Sequence, residues 1–128
     1  MIAVILAGGK GSRLGSLTKV TPKPMIKIAG KPILWHILKI LSSQGIKEFI
    51  ICLGYKGDVI KKYISELNFD FKVKCINTGQ NTLTARRIFL IKNEIHSDRF
   101  LMTYGDGVSD INISKLIKLH NKKKKLLQ

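Results

Sequence analysis

Residues 2–6 form an unbroken apolar run that ends in Ala7-Gly8-Gly9, the pattern of a parallel strand buried on both faces and leading into a glycine loop. Residues 8–24 mix four glycines, two prolines, three lysines and one arginine. That is too irregular for one element, so they read as a long loop holding at most a helical turn. Pro32 suits a first helical turn, after which Ile33, Leu34, Ile37, Leu38 and Leu41 recur at helical spacing until Gly45 ends the helix. Residues 48–53 predict a second strand and 59–67 a second helix. Residues 69–76 alternate apolar and polar, which predicts a third strand near a sheet edge. A third helix is expected over 83–95, a fourth strand over 100–104 stopped by Gly105-Asp106-Gly107, and a fourth helix over 113–123.

Strands alternating with helices imply an α/β fold with a mostly parallel sheet. In such sheets ligands bind beyond the carboxyl ends of the strands, so the loops at 8–24, 54–58, 77–82 and 105–110 should gather at one site. The 128 residues, 45% hydrophobic, suffice for one domain with an ordinary core, and no linker or internal repeat divides them. No apolar stretch approaches the roughly 20 residues that cross a bilayer, and the first run lacks a signal-peptide pattern. The expected location is the cytoplasm, with no membrane partner. Cys52 and Cys75, the two cysteines, lie in strand-like runs without metal-ligand spacing and read as buried, reduced thiols.

The net charge of +15, from 23 basic and 8 acidic side chains, would attract nucleic acid, an anionic membrane or small anionic substrates alike. Its distribution speaks against nucleic acid. Lysines are spread along the chain, only 122–125 form a run, and the aromatics are not interleaved with basic residues as a base-stacking platform requires.

Two loops carry candidate chemistry. After the first strand come Leu6-Ala7-Gly8-Gly9-Lys10-Gly11-Ser12-Arg13, then Pro22-Lys23-Pro24. Glycines allow backbone N–H groups to close around phosphate oxygens, and Arg13 and Lys23 add positive charge where a triphosphate would lie. The loop has neither Gly-Lys-Ser/Thr nor the G-x-G-x-x-G spacing, so it is not a P-loop or a dinucleotide fingerprint. Alone, the loop is weak evidence, and a flexible strand-to-loop turn is the competing reading. At the end of the fourth strand, Asp106 lies between Gly105 and Gly107, free to take a hard cation such as Mg²⁺ together with phosphate oxygens; a plain glycine-aspartate turn is the competing reading.

Four blocks, LAGGKGSRL, TPKPMIKIAGKPILWHIL, GIKEFIICLGYKGDVIKKY and TYGDGVSDINISKLIKLH, follow in the order and spacing of the sugar-1-phosphate nucleotidyltransferases. Trp35-His36 and residues 104–108 resemble the glucose-1-phosphate cytidylyltransferase branch in particular. The resemblance implies a Rossmann-like fold of the nucleotide-diphospho-sugar transferase type, with residues 1–128 as its nucleotide-binding portion and the C-terminal half missing. It implies transfer of a nucleotidyl group, CMP from CTP, to a sugar-1-phosphate such as glucose-1-phosphate, for surface polysaccharide or deoxysugar synthesis. Leu6, Ala7, Gly8, Gly9, Lys10, Gly11, Ser12 and Arg13 would bind the nucleotide, Arg13 and Lys23 would neutralise its phosphates, and Thr82, Arg87 and Gly105 would contact it. Asp106 would hold Mg²⁺. Three positions depart from the pattern: Ala85-Arg86 replaces a common glycine pair, and Thr21 a common lysine.

Other polar residues read as structural. His36 lies on the first predicted helix and suits a surface hydrogen bond, His96 and His120 are isolated, and Asp110 suits the cap of the last helix. Trp35 suits either a core anchor or a subunit contact. Relatives of this type run to about twice this length, and the resemblance stops at the lysine run. If that run is written in AAA codons and the last three codons are TTG, TTA and CAA, a one-base shift gives Ile-Val-Thr, the start of a further strand. The expectation is a frameshift or a shortened gene model, refuted if the gene shows no family-like continuation in any frame. An uncovered sheet face would invite a homo-oligomer. The competing functions are an active transferase, a non-catalytic nucleotide-binding fragment, and a basic nucleic-acid binder.

Overall fold

The computed structural model describes residues 1–10 and 16–126. In chain order the elements are β1 (Ile2–Ala7), α1 (Leu17–Val20), a 3-10 turn at Lys23–Met25, β2 (Lys27–Ile28), β3 (Lys31–Pro32) and α2 (Ile33–Ser43). Then follow β4 (Glu48–Leu53), α3 (Gly57–Glu66), β5 (Lys72–Asn77), α4 (Thr84–Leu90), a 3-10 turn at Lys92–Glu94, β6 (Phe100–Tyr104) and α5 (Ile113–Leu126). β1, β4, β5 and β6 form an all-parallel sheet in the order β5-β4-β1-β6. The chain therefore steps outward from β1 to β5 and then returns to the other side of β1, which makes the junction of β1 and β6 the topological switch point of the sheet.

β1 is apolar throughout because both of its faces are covered. Ala3, Ile5 and Ala7 join Phe49, Ile51 and Leu53 of β4 in a cluster under α2 and α3, to which α5 adds Ile113. Ile2, Val4 and Leu6 join Ile50, Cys52 and Ile91 in a second cluster on the opposite face. The apolar stripe of α2 (Ile33, Leu34, Ile37, Leu38, Leu41) is buried in the first cluster. As the pattern requires, Gly45 closes that helix at φ +94°, where only glycine is comfortable, and the Ile46 N–H returns to the Leu41 carbonyl at 3.2 Å.

Several elements differ from the sequence expectation. The predicted helix over 83–95 is α4 followed by a 3-10 turn; Ile88, Ile91 and Ile95 keep a helical rhythm across the break because all three face the second cluster. The strand expected from residue 69 starts at Lys72. Phe69 and Phe71 before it stack at 4.4 Å, and Phe71 meets Phe49 at 5.0 Å, so they pack as a small aromatic group instead of extending the ladder. The helix expected over 59–67 begins two residues earlier, at Gly57. Asp110 does not cap α5. The helix starts at Ile113, so the cap falls to Asn112, whose Oδ1 accepts the Lys115 N–H at 3.0 Å, while Gln44 Oε1 accepts the Ile113 N–H at 2.7 Å.

A hairpin that the pattern did not reveal joins β2 to β3 through Ala29 and Gly30, both with positive φ (52° and 79°), the signature of a tight two-residue turn. His36 of α2 pins it by donating from Nε2 to the Ile28 carbonyl at 2.7 Å, the structural bond expected of that histidine. Trp35 lies edge-on to His36, with the Lys31 and Lys39 ammonium groups over its ring. Cys52 is buried and Cys75 half-buried, both free thiols. No described helix is long and apolar enough to cross a membrane.

Candidate functional site

At the carboxyl ends of β1 and β6 lies a cleft of about 410 Å³. Four stretches of chain meet there, among them Leu6, Ala7, Gly8 and Gly9 at the end of β1, Lys23 and Pro24 further along, and Tyr104 and Asp106 at the end of β6. The segment after β5 contributes Thr82, Leu83, Thr84 and Arg87. Three of the four loops expected to gather therefore line it. The fourth, at 54–58, packs beneath: the Tyr55 N–H donates to the Gly8 carbonyl at 3.1 Å. A Cβ on Gly54 would fall 2.6 Å from the carbonyl oxygens of both Gly8 and Gly79, so glycine is required there for the three loops to touch.

Lys23 and Asp106 face each other across the cleft as an ion pair of 2.9 Å, each side chain about one-third exposed (32% and 35%). Gly105 is buried between them and β1: its N–H donates to the Leu6 carbonyl at 2.8 Å, and a Cβ would come within 3.1 Å of Ala7 and Pro24. Glycine at that position lets β6 close on the first loop.

Arg87, which the resemblance implied as a nucleotide contact, lines the cleft from a buried position. It is 5% exposed. Its Nη1 donates to Thr78 Oγ1 and to the Gly79 carbonyl, both at 2.7 Å, and to the Leu53 carbonyl at 3.3 Å, while Nη2 donates to the Gly8 carbonyl at 3.3 Å. Burial lowers its pKa, with Cys52 acting in the opposite sense. Cys52 beneath it is pushed up to about 11 by burial, Arg87 opposing. That fits the inert thiol expected from the sequence.

Of the residues singled out in the sequence, Leu6, Ala7, Gly8, Gly9, Lys23, Thr82, Arg87 and Asp106 line the cleft and Gly105 lies under it. Lys10 is exposed further along the first loop. Gly11, Ser12 and Arg13 lie outside the described residues. Pro24, Leu83, Thr84 and Tyr104 were not foreseen as lining residues. Leu83 is 82% exposed at the cleft rim, and its sequence position signalled only the start of a helix. Ala85 and Arg86, between the lining residues Thr84 and Arg87, are exposed on α4 and are not among the lining residues.

The family model for nucleotidyl transferases matches residues 2–127, nearly the whole chain. The chain belongs to the nucleotidyl transferase family. A glucose-1-phosphate cytidylyltransferase of Salmonella typhimurium is 44% identical over 143 residues, covering 94% of this chain and 56% of that protein. A D-glycero-alpha-D-manno-heptose 1-phosphate guanylyltransferase of Campylobacter jejuni is 39% identical over 91% of this chain and 52% of its own length. Among solved structures, HddC of Yersinia pseudotuberculosis in complex with GMP-PN superposes with a TM-score of 0.78 at 34% identity, covering 91% of this chain and 52% of that one. The chain spans about half the length of the curated relatives it matches. The parallel sheet with flanking helices is the fold this chain shares with such structural neighbours.

Proposed function

We propose that the protein serves the transfer of a nucleotidyl group from a nucleoside triphosphate, CTP by preference, to a sugar-1-phosphate such as glucose-1-phosphate, releasing pyrophosphate. The observation that carries this reading is the cleft at the switch point, where a glycine-walled floor, Lys23 and Asp106 lie within reach of one ligand. CTP is preferred because the cytidylyltransferase relative is more similar than the guanylyltransferase one. A sugar-1-phosphate oxygen would attack the α-phosphorus; the bond from the α-phosphorus to its bridging oxygen breaks, and pyrophosphate leaves with the electron pair. Such a reaction needs alignment and charge neutralisation, with no covalent intermediate on the protein.

The Gly8-Gly9 backbone would line the polyphosphate, Lys23 would turn from Asp106 to a phosphate oxygen, and Thr82 would meet the nucleotide at the rim. Leu6 and Ala7 line the same wall and Gly105 lies under it, and Lys10, Gly11, Ser12 and Arg13 would add to it by their place in the motif. Asp106 would contribute a ligand to Mg²⁺. The donor set fits that role in part: Asp106 is the one carboxylate among the lining residues, and Mg²⁺ commonly takes one or two carboxylates and fills its other positions with water and phosphate. When bound, the ion would polarise the phosphates and hold their charge. No group of three or more metal-ligating side chains exists among the described residues. The single carboxylate of the lining favours, as a second reading, a nucleotide-binding portion without turnover of its own. Both readings place the protein in the cytoplasm with its small-molecule substrates; assembly into a homo-oligomer remains part of the proposal.

Pyrophosphate release by this chain, measured with each nucleoside triphosphate plus glucose-1-phosphate and Mg²⁺, separates the two. The transferase reading expects release with CTP that falls at least about a hundredfold in Asp106→Ala. CTP binding without release supports the second reading. Release that is equal in the wild type and Asp106→Ala would sink the role given to that carboxylate.

A further inference from the structure

Arg87, implied by the resemblance as a nucleotide contact, packs its guanidinium against Gly8 of the first loop. Arg87 is almost fully buried, and its guanidinium spans the ends of three strands: the Gly8 carbonyl after β1, the Leu53 carbonyl at the end of β4, and Thr78 and Gly79 after β5. A Cβ on Gly8 would lie 2.2 Å from Nη1 and 2.4 Å from Cζ of Arg87, so a side chain there would displace the guanidinium from this position. Thr78, itself 3% exposed, fixes the fork further by donating to the Leu53 carbonyl at 2.9 Å.

Two physical consequences follow. A trans peptide is planar, with its carbonyl and N–H on opposite sides, so anchoring the Gly8 carbonyl to Arg87 and to the Tyr55 N–H also sets the direction of the Gly9 N–H in the cleft wall. The second consequence is electrostatic. Every hydrogen-bond partner of the guanidinium is neutral, and the ion pairs among the described residues are Lys23–Asp106, Lys47–Asp70 and Lys74–Glu94. A buried cation normally acquires a compensating anion. Arg87 is among the residues lining the cleft, so an anion bound there would supply that charge.

We infer that Arg87 is a positioning residue for an anionic polyphosphate ligand: it holds the Gly8-Gly9 peptide in its binding orientation from behind, and its uncompensated charge favours the bound anion. This rests on the reading of the cleft as a polyphosphate site and extends it, because the role requires no direct contact with the nucleotide. A positioning role changes the ligand-free protein; a direct contact does not.

The test uses the full chain and two probes, inorganic tripolyphosphate and CTP. In Arg87→Lys the charge stays, but a single ammonium nitrogen cannot span the Gly8 carbonyl and the β5 loop together. The expected results are faster amide exchange at Tyr55 in the ligand-free protein, at an unfolding midpoint close to wild type, and weaker binding of both probes by the same factor, roughly tenfold to a hundredfold. Thr78→Val, which removes one of the two shortest bonds of the fork and leaves Arg87 in place, should shift both readouts the same way by less. It decides the matter if Arg87→Lys does not fold. Weaker binding with unchanged Tyr55 exchange would overturn positioning in favour of direct contact, and unchanged binding would overturn the role altogether. A wild-type chain that binds neither probe would sink the polyphosphate site itself, and this inference with it.

Discussion

β1 and β6 are neighbours in one parallel ladder, paired from Ile2 with Phe100 to Leu6 with Tyr104, yet they live in different surroundings. Every residue of β1 is buried, whereas Phe100, Met102 and Tyr104 of β6 are 37%, 44% and 55% exposed. The difference comes from what flanks them. β1 has a strand on each side and an apolar cluster on each face, while β6 is at the end of the strand order. It follows that the two walls of the cleft are built to different tolerances. The β1 loop is braced from below by Arg87 and Tyr55; the β6 loop is held by the Gly105 amide and by the ion pair that Asp106 makes with Lys23.

The contrast is most exposed to failure in a pair of truncations. Ile5→Ala, at a position with no exposure, should lower the unfolding free energy by about 2–5 kcal/mol, and Met102→Ala by under about 1 kcal/mol, both read from urea melts. Equal losses would show that β6 is as well packed as β1. A smaller effect sharpens the picture at Cys52, which packs with β1 in the second cluster. Its folded pKa is raised from 9.0 to about 11, so the native state keeps the proton longer than the unfolded chain. The resulting stabilisation is complete below about pH 9 and is lost as pH rises through about 11, amounting to roughly 3 kcal/mol at full titration. Melts between pH 8 and 11 should show this slope, reduced in Cys52→Ala; the raised Cys75 and Tyr63 add their own decline in the same direction. The smallest effect belongs to the surface. Lys47–Asp70, at 3.9 Å and well exposed, should contribute under about 0.5 kcal/mol, so a larger loss in Asp70→Asn would mean that the β5 edge is more ordered than its exposure suggests.

How much of this was legible in the sequence also divides along the sheet. β4 and β6 fall where the apolar runs placed them, and β1 extends one residue further, because runs bounded by glycine or charge leave little freedom. The break after α4 was hidden because Ile88, Ile91 and Ile95 satisfy a helical period that a 3-10 turn can also serve when one face is buried. The β2–β3 hairpin was hidden because Ala29 is no turn signal; the fold holds it at positive φ through the His36 bond and the backbone bond from Ile33 to Ile26. In the candidate site, the meeting of the glycine loop, Lys23 and Asp106 in one cleft was readable because loops at the carboxyl ends of neighbouring parallel strands converge there. The setting of Arg87 was not, since a sequence shows a basic residue on a helix and cannot show that three distant carbonyls converge on it.

The chain has a single tryptophan, and it sits on α2 beside the hairpin, outside the cleft lining. Its emission should therefore be an optical gauge of one corner of the molecule, quiet when a ligand enters the cleft and responsive when the hairpin lifts from the helix. Heating curves followed by Trp35 fluorescence and by far-ultraviolet dichroism would coincide only if that corner and the sheet come apart as one cooperative unit.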